Sequence, residues 1–589
     1  MRNALIGMAV SGLICAADSQ QVMAQGTFRT QSLGILEGFP RPYDPRYFRI
    51  NNQSVVVGQV GQNFFAKAAT WQNGTVTQLP VWPNGNYALG IGINDSGTVA
   101  VEADDSFNNK FGAIYRNGGY TSLLYPANSN VNYLTPRSIN NSGQLVGYAT
   151  SLGFYGYPGR AFYHAGPNGN TRPVILGIPS GYVASVAHEI SDSGLIVGNI
   201  STSINASQAA VWRSSDLNSI IYLTSLDSSF VSSNSNNKAV GYVGSTAVEF
   251  TFPVSGSITS RSLGSGIANG ININDMSVGN SVRTNDPTLS TGFVVYGDTR
   301  YNLNLLQSSP NGRILYTADD VNSRGEIVGL SNQGGYIAIP ELARLASGTW
   351  TESSKWSWGQ VPNPRSPVRI ESATVDGPLT ATTIAELHVG ESGTVAKLTL
   401  KGNPLTVSNT NLSYATGKVN VGLQGTLAGV GTLASSDVQV NGTIAPGTSA
   451  GTITIDGNLT LSHTATVVME IMGNANGSFD TLQITQSAVL AGTMIFDFSQ
   501  FSGSFDQTLN IISAGSISGD FDQFSFIGID PNSVQIELTS SQLSISPVAV
   551  PEMASVLLLL AGLGGGTGFA WLKWRNNTKQ WESTFDSNV

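Results

Sequence analysis

The residue types able to do chemistry are few in this chain: four histidines (His164, His188, His388 and His463), one cysteine (Cys15), a lone Glu249, and the aspartates Asp95, Asp192 and Asp275. A zinc site needs His, Cys or carboxylate ligands at short, paired spacings, and these histidines are scattered. Nucleophilic or general acid–base catalysis needs a nucleophile beside a base, or two carboxylates held together, and neither forms a local motif. The sequence therefore predicts no catalytic residue, no metal and no cofactor. Glu249, His164 and His188 read as single polar residues in or near strands, with structural or surface roles. The three aspartates differ in that they recur within one repeated phrase, a pattern that could suggest calcium ligation but is much better accounted for by turn formation.

That phrase sets the organisation of the first half. "INNSGQLVG" at 139 returns as "INDSGTVAV" at 93, "ISDSGLIVG" at 190 and "VNSRGEIVG" at 321, and more loosely from Ile50, as "SNSNNKAVG" from Ser233 and as "ININDMSVG" from Ile271. The seven starts lie 38 to 51 residues apart. Copy two carries Val101 where the final glycine belongs. Asn-Asn-Ser-Gly and Asp-Ser-Gly suit a type I turn whose side chains bond back to the backbone, closed by a glycine at positive φ. Each phrase is followed by a small residue with an aromatic or apolar pair, such as Ala161-Phe162-Tyr163 or Ala210-Val211-Trp212, and then by another apolar run, so each period holds about four short strands. Such a unit cannot bury both faces alone and must stack on its own copies, as a closed ring or an open solenoid. Seven copies favour the ring. The last copy ends at "GGYIAIP" without its final strand, while "FRTQSLGIL", residues 28 to 36, precedes the first copy and has that strand's pattern. Lending this strand from the N-terminal end would close the ring and remove an exposed edge.

The repeat resembles the HAF-type extracellular repeats of secreted bacterial proteins over residues 28 to 345, which implies a propeller-like fold. The Asp-box of sialidases fits poorly, since it needs Ser or Thr two positions before the aspartate, where this chain has Ile93 and Ile190.

From Ser347 the composition changes. "GTWTESSKWSWGQVPNPRSPVRI", residues 348 to 370, packs three tryptophans and three prolines closely together. It resembles the opening that precedes β-helical regions in bacterial surface proteins. The cluster would serve either as a sugar-stacking platform or, the reading we favour, as a cap over the first solenoid rung. Strands of four to six residues separated by Gly-Thr, Gly-Asn or Asn-Gly turns follow, the pattern of parallel β-helix rungs. "IAPGTSAGTITIDGNLTL", within 429 to 461, resembles autotransporter-associated β-strand repeats, and the likeness continues to about residue 526. No membrane β-barrel pattern follows, so self-translocation is not implied.

Both ends read as export signals. Arg2, the apolar run Ala4 to Ala17 and Val22-Met23-Ala24 make a secretory signal cleaved after Ala24. Lipidation of Cys15 is disfavoured because Ile14 stands where a small residue is wanted. Near the C-terminus, Val550-Pro551-Glu552 precede an uncharged run from Ala554 to Leu572 and the basic residues Lys573, Arg575 and Lys579. The run is just long enough to span a bilayer, and the basic flank predicts a cytoplasmic end. The layout resembles a PEP-CTERM sorting signal, also named after the C-terminus of ice-binding proteins. That resemblance implies recognition by an exosortase-type membrane enzyme, with Met553 replacing the second proline.

The expected architecture is all-β: a signal peptide (1–24), a seven-bladed β-propeller (25–345), a short parallel β-helix (346–546), and a sorting tail with one transmembrane helix (547–589). Charged residues make up only 11% of the chain, against about 25% in a typical domain. With a net charge of −9 and no basic run, nucleic acid is not an expected partner. The reading is an exported, non-enzymatic cell-surface or matrix protein. It would be held at least transiently by its C-terminal helix, with extracellular polysaccharide or envelope proteins as partners. The alternatives are a secreted carbohydrate-active enzyme with its site in the ring's mouth, where distant residues can converge, and an ice- or ligand-binding adhesin using Thr-rich stalk faces.

Overall fold

The turn phrase builds the local unit from which the fold grows. In the computed structural model, described between residues 27 and 548 except for 34–47, 61–65, 84, 106, 108, 128–130, 152–158, 167–170, 204–206, 226, 254–256, 284–285, 410–411 and 413–414, every copy of the phrase is a hairpin turn. Its fourth turn residue adopts positive φ in all seven copies: Gly97, Gly143, Gly194 and Gly325, with Ser54, Asn237 and Asp275 replacing glycine in the looser ones. The signal-cleavage residue Ala24, the motif Val550, Pro551 and Glu552, the basic residues Lys573, Arg575 and Lys579, and the expected transmembrane helix all lie outside the described residues. Among the described residues, helix is confined to short 3-10 turns such as Pro287–Leu289 and Leu303–Leu306, and no helix is long and apolar enough to cross a membrane.

Six of the seven hairpins are each half of a separate four-stranded antiparallel sheet, and the six sheets form a propeller-type arrangement. A representative sheet runs Tyr133–Ile139, Leu145–Thr150, Arg160–His164, Val174–Ile175. The apolar clusters lie between sheets. Val57 and Ala68 pack against Val99 and Val101 of the next sheet, and Val146, Ala161 and Tyr163 against Ile190, Ile196 and Trp212. Burial of this apolar area against an equivalent neighbour is the main stabilising term, about 1.5–3 kcal/mol for each fully covered Val, Leu or Ile.

The phrase's last glycine has a steric origin. A Cβ at Gly147, Gly198, Gly241 or Gly279 would meet the carbonyl oxygen of Thr135, Val186, Ser229 or Ile267 at 2.0, 1.9, 2.0 and 2.0 Å, respectively. The pairing slips by one residue next to these contacts, between Pro136 and Ser138 and between Ala187 and Glu189, and such bulges sharpen the strand's twist. In copy two the residue opposite Val101 is Gly90, so glycine and side chain have exchanged strands.

A further antiparallel group, Asp320–Val321, Ile327–Ser331 and Gly334–Ala343, takes Thr27–Ser32 as its outer strand. The N-terminal strand pairs from Thr27↔Glu341 to Ser32↔Tyr336. This group packs on the first sheet through Val328, Ile337 and Ile339 against Ile50 and Trp71. Gly334–Ala343 then continues past that pairing, and its last residues pair in parallel with Pro367–Ile370 at Leu342↔Val368 and Ala343↔Arg369. From there to Gln523–Ile527 the pairing is a stack of parallel ladders, with Leu387, Val419, Val438, Leu459 and Ala488 in register down one interior column. An antiparallel hairpin, Val534–Leu538 and Gln542–Pro547, ends the described chain.

Candidate functional site

The seven turns converge on one mouth, and their first residues make a hydrogen-bonded belt. Asn51, Asn94, Asn140, Asn234, Asn272 and Asn322 each use Oδ1 to accept backbone N–H groups of their own turn, as the local reading requires. Their Nδ2 groups reach outward to the next turn. Asn51 donates to the Asn94 carbonyl (2.9 Å), Asn94 to Asn140 (3.1 Å) and Asn140 to Ser191 (3.1 Å). Beyond the serine, Asn234 donates to Asn272 (2.9 Å), Asn272 to Asn322 (2.8 Å) and Asn322 back to Asn51 (3.1 Å). Ser191 holds only its own turn, accepting Leu195 N–H at 3.1 Å. The belt residues are at most 6% exposed, and each of the six asparagines satisfies buried backbone groups on two modules at once.

The second residues form an arc above the belt. Ser323 N–H donates to Asn52 Oδ1, Asn52 N–H to Asp95 Oδ1, Asp95 N–H to Asn141 Oδ1, and Asn141 N–H to Asp192 Oδ1, at 2.7–2.8 Å. This amends the turn reading of the aspartates: Asp95 and Asp192 bind the neighbouring turns rather than their own. Asp275 accepts from the Asn234 carboxamide at 3.0 Å and pairs with Lys238 at 2.9 Å.

Three charged side chains meet inside the belt. Arg49 lies 3.1 Å from Glu189 and 3.6 Å from Asp320, while Glu189 also accepts from Ser232 Oγ at 3.0 Å and Asp320 from Ile50 N–H at 3.1 Å. The mouth encloses about 180 Å³. Sequence reasoning missed this triad, although the position before each phrase carries a signal: it reads Arg49, Gly92, Ser138, Glu189, Ser232, Gly270 and Asp320. Charges replace Gly or Ser at three of seven equivalent places.

The histidines and Glu249 do not converge there. His164 is fully buried, with Thr171 Oγ1 3.1 Å from Nε2, and burial lowers its pKa. His188 lies 3.1 Å from Asn199 Oδ1. Glu249 is buried between Lys238 (3.2 Å) and Arg261 (2.8 Å), and His463 is exposed beside Asp522. Among the described residues no group of three or more His, Cys, Asp or Glu is placed to hold a metal ion.

His388 belongs to an ionic lattice where the two halves meet. Arg29 of the N-terminal strand bonds Glu341 (2.9 Å) and Glu386 (2.8 Å), Arg369 bonds Glu341 (2.8 Å) and Glu391 (3.2 Å), and His388 bridges Glu386 and Glu391. Burial works against the imidazolium, but hydrogen bonds to Glu386 and Glu391 outweigh it and hold the pKa above the ordinary histidine value. Burial also opposes the charge on Glu341 and Glu386, yet Arg369 and Arg29 for the former, and His388 and Arg29 for the latter, bring both pKa values below the usual carboxylate range.

The tryptophan cluster adjoins this lattice and is buried. Trp350, Trp356 and Trp358 are at most 2% exposed and share a core with Leu342, Val368 and Ile370. Trp358 packs on Phe28, Tyr296 and Tyr301 at centroid distances of 5.1, 5.8 and 5.9 Å. Buried rings offer no stacking face to a sugar. One regular feature lies on the parallel ladders: Thr426, Thr443, Thr466 and Thr493 stand in register on successive strands.

No family model and no curated protein matches the chain. Among solved structures it is similar to YCF48 from Cyanidioschyzon merolae, with 9% identity, 53% of this chain and 99% of that chain covered, and a TM-score of 0.33. It is similar also to a gluconolactonase from Xanthomonas campestris, with 10% identity, coverage of 54% and 92%, and a TM-score of 0.28. The neuraminidase-like protein of A/flat-faced bat/Peru matches with 10% identity, coverage of 53% and 93%, and a TM-score of 0.28.

Proposed function

We propose that this chain is an exported, non-enzymatic surface or matrix protein, a seven-bladed propeller presented on a short β-helical stalk. In this reading the group of Asp320–Val321, Ile327–Ser331, Gly334–Ala343 and Thr27–Ser32 is the seventh blade, and the parallel ladders from Pro367–Ile370 onward are the helix. The observation that carries the reading is that one strand serves both parts: Gly334–Ala343 pairs with Thr27–Ser32 along most of its length and with Pro367–Ile370 at its end. A shared strand, locked by Arg29 and Arg369 on Glu341, transmits orientation without a hinge, as a display architecture needs. The secretory signal and the Val550-Pro551-Glu552 tail, read by an exosortase-type enzyme and held by its apolar helix, would place it outside the cell with polysaccharide or envelope proteins as partners.

The test is co-sedimentation of the exported chain with purified exopolysaccharide, alongside an assay for new reducing ends and mass measurement of the mature C-terminus. Binding without product supports the reading. A second reading, a carbohydrate-active enzyme, draws on Glu189 and Asp320 converging at the mouth. Release of sugar that Glu189→Gln abolishes would establish it and overturn the first. The threonine column favours the adhesin reading, and thermal hysteresis lost on Thr466→Tyr would be its signature.

A further inference from the structure

We infer that two copies of this chain join end to end through the open edge of strand Gln523–Ile527, as an antiparallel pair about a two-fold axis at Ser525. The inference rests on the stalk's last rung rather than on the export reading. Successive strands Thr466–Glu470, Thr493–Asp497 and Gln523–Ile527 form one face of the ladder stack, and among the described residues the last of these has a ladder with Thr493–Asp497 alone, the next strand pairing with Gln542–Pro547 instead. The opposite face is finished differently, because the hairpin strand Gln542–Pro547 covers Leu509–Gly519.

The interior shows that a further strand is missing. Val467 and Met494, then Met469 and Phe496, are wholly buried in two inward-facing columns, yet Phe524 and Phe526, which continue those columns, are only half-buried. Phe496 stacks on both rings, at 6.3 and 5.3 Å, so their covered side is the rung behind them. Main-chain polarity agrees. Gln523 N–H donates to Gly492 and the Ile527 carbonyl accepts from Phe498, so the alternate residues Phe524 and Phe526 point their N–H and C=O groups off the free edge.

A second copy satisfies all of this through its own equivalent strand. With the axis at Ser525, Phe524 faces the partner's Phe526 as a hydrogen-bonded pair, twice over, and the four rings continue one core. Ser525 meets its own copy as a non-hydrogen-bonded pair, with Cα atoms about 4.5 Å apart. Gln523 faces an isoleucine and Asp522 a glycine, so no like charges oppose. The stalk's other end is occupied by the Trp350, Trp356 and Trp358 cluster, so the contact is isologous and closes as a dimer rather than extending as a fibre.

Ser525 is exposed, so substitutions there spare the monomer's fold. The test is sedimentation equilibrium of the purified full-length chain together with Ser525→Glu and Ser525→Cys. The native chain is expected to dimerise, and Ser525→Glu, which sets two carboxylates face to face, to weaken dimerisation by roughly tenfold or more. Ser525→Cys adds one thiol to a chain whose only cysteine is Cys15, and it should form a covalent dimer on mild oxidation because the Cα separation suits a disulfide. Ser122→Cys, on an outer propeller strand, should not. A monomer at every concentration, or a dimer that Ser525→Glu leaves intact and Ser525→Cys fails to cross-link, overturns the inference; the cross-link alone decides if the glutamate variant does not fold.

Discussion

Replacing Asn272 by serine tests whether the belt holds neighbouring modules together or merely decorates their turns. Asn272 is 4% exposed. Its Oδ1 accepts Asn274 and Met276 N–H at 3.0 Å each, and its Nδ2 donates to the Asn322 carbonyl at 2.8 Å. Ser191 shows what serine achieves in this frame, since its Oγ keeps the bond to the residue four positions on. The exposed Asn274 N–H then turns to water at little cost, while the buried Asn322 carbonyl keeps the Gly325 N–H of its own turn (3.0 Å) but loses its second donor, which costs about 0.5–1.5 kcal/mol. Asn272→Asp separates the two roles more sharply, because it keeps both acceptor bonds and sets a carboxylate against that carbonyl. The expected order of stability is native, then serine, then aspartate, read from urea midpoints by tryptophan fluorescence at pH 7 with an unchanged m-value. An aspartate variant as stable as the native chain would refute the inter-module role of the carboxamides.

Four further outcomes are expected. His388→Gln should remove stability that the native chain holds below about pH 6.5 and loses as the pH rises through the raised histidine pKa, whereas the contributions of Glu341 and Glu386 persist above about pH 4.5 and vanish as pH falls; the check is the difference in melting temperature between the two chains across pH 4 to 9. Trp358→Ala, deleting a fully buried ring packed on Phe28, should cost about 3–5 kcal/mol and lower the melting transitions of both halves by calorimetry, while exopolysaccharide should leave native tryptophan emission unshifted. Gly198→Ala places a methyl 1.9 Å from the Val186 carbonyl oxygen and should destabilise by about 2 kcal/mol or more, measured by urea unfolding, whereas Gly244→Ala, with open space but positive φ, should cost only about 1 kcal/mol. Deleting residues 27–32 uncovers the edge of Gly334–Ala343 and should make the chain aggregate, followed by light scattering.

The features legible in the sequence were local and periodic. Hairpin turns with a positive-φ residue at the fourth place, four short strands per period and the N-terminal strand pairing with the last copy were all legible, because each follows from spacing within one module or at its border. Even the looser copies obey the rule: Asn237 and Asp275 take the glycine conformation, which asparagine and aspartate tolerate better than other side chains.

Tertiary structure alone decided what the side chains do once the modules face one another. Asn51 and Asn322 are 271 residues apart, yet one donates and the other accepts across the ring's closure; nothing in either turn encodes that partner. Arg49, Glu189 and Asp320 look like ordinary strand residues until packing brings them to one mouth. Local propensity acts over a few residues, whereas convergence is set by how many modules stack and at what twist, so chemistry shared between modules stays invisible until packing brings those positions together.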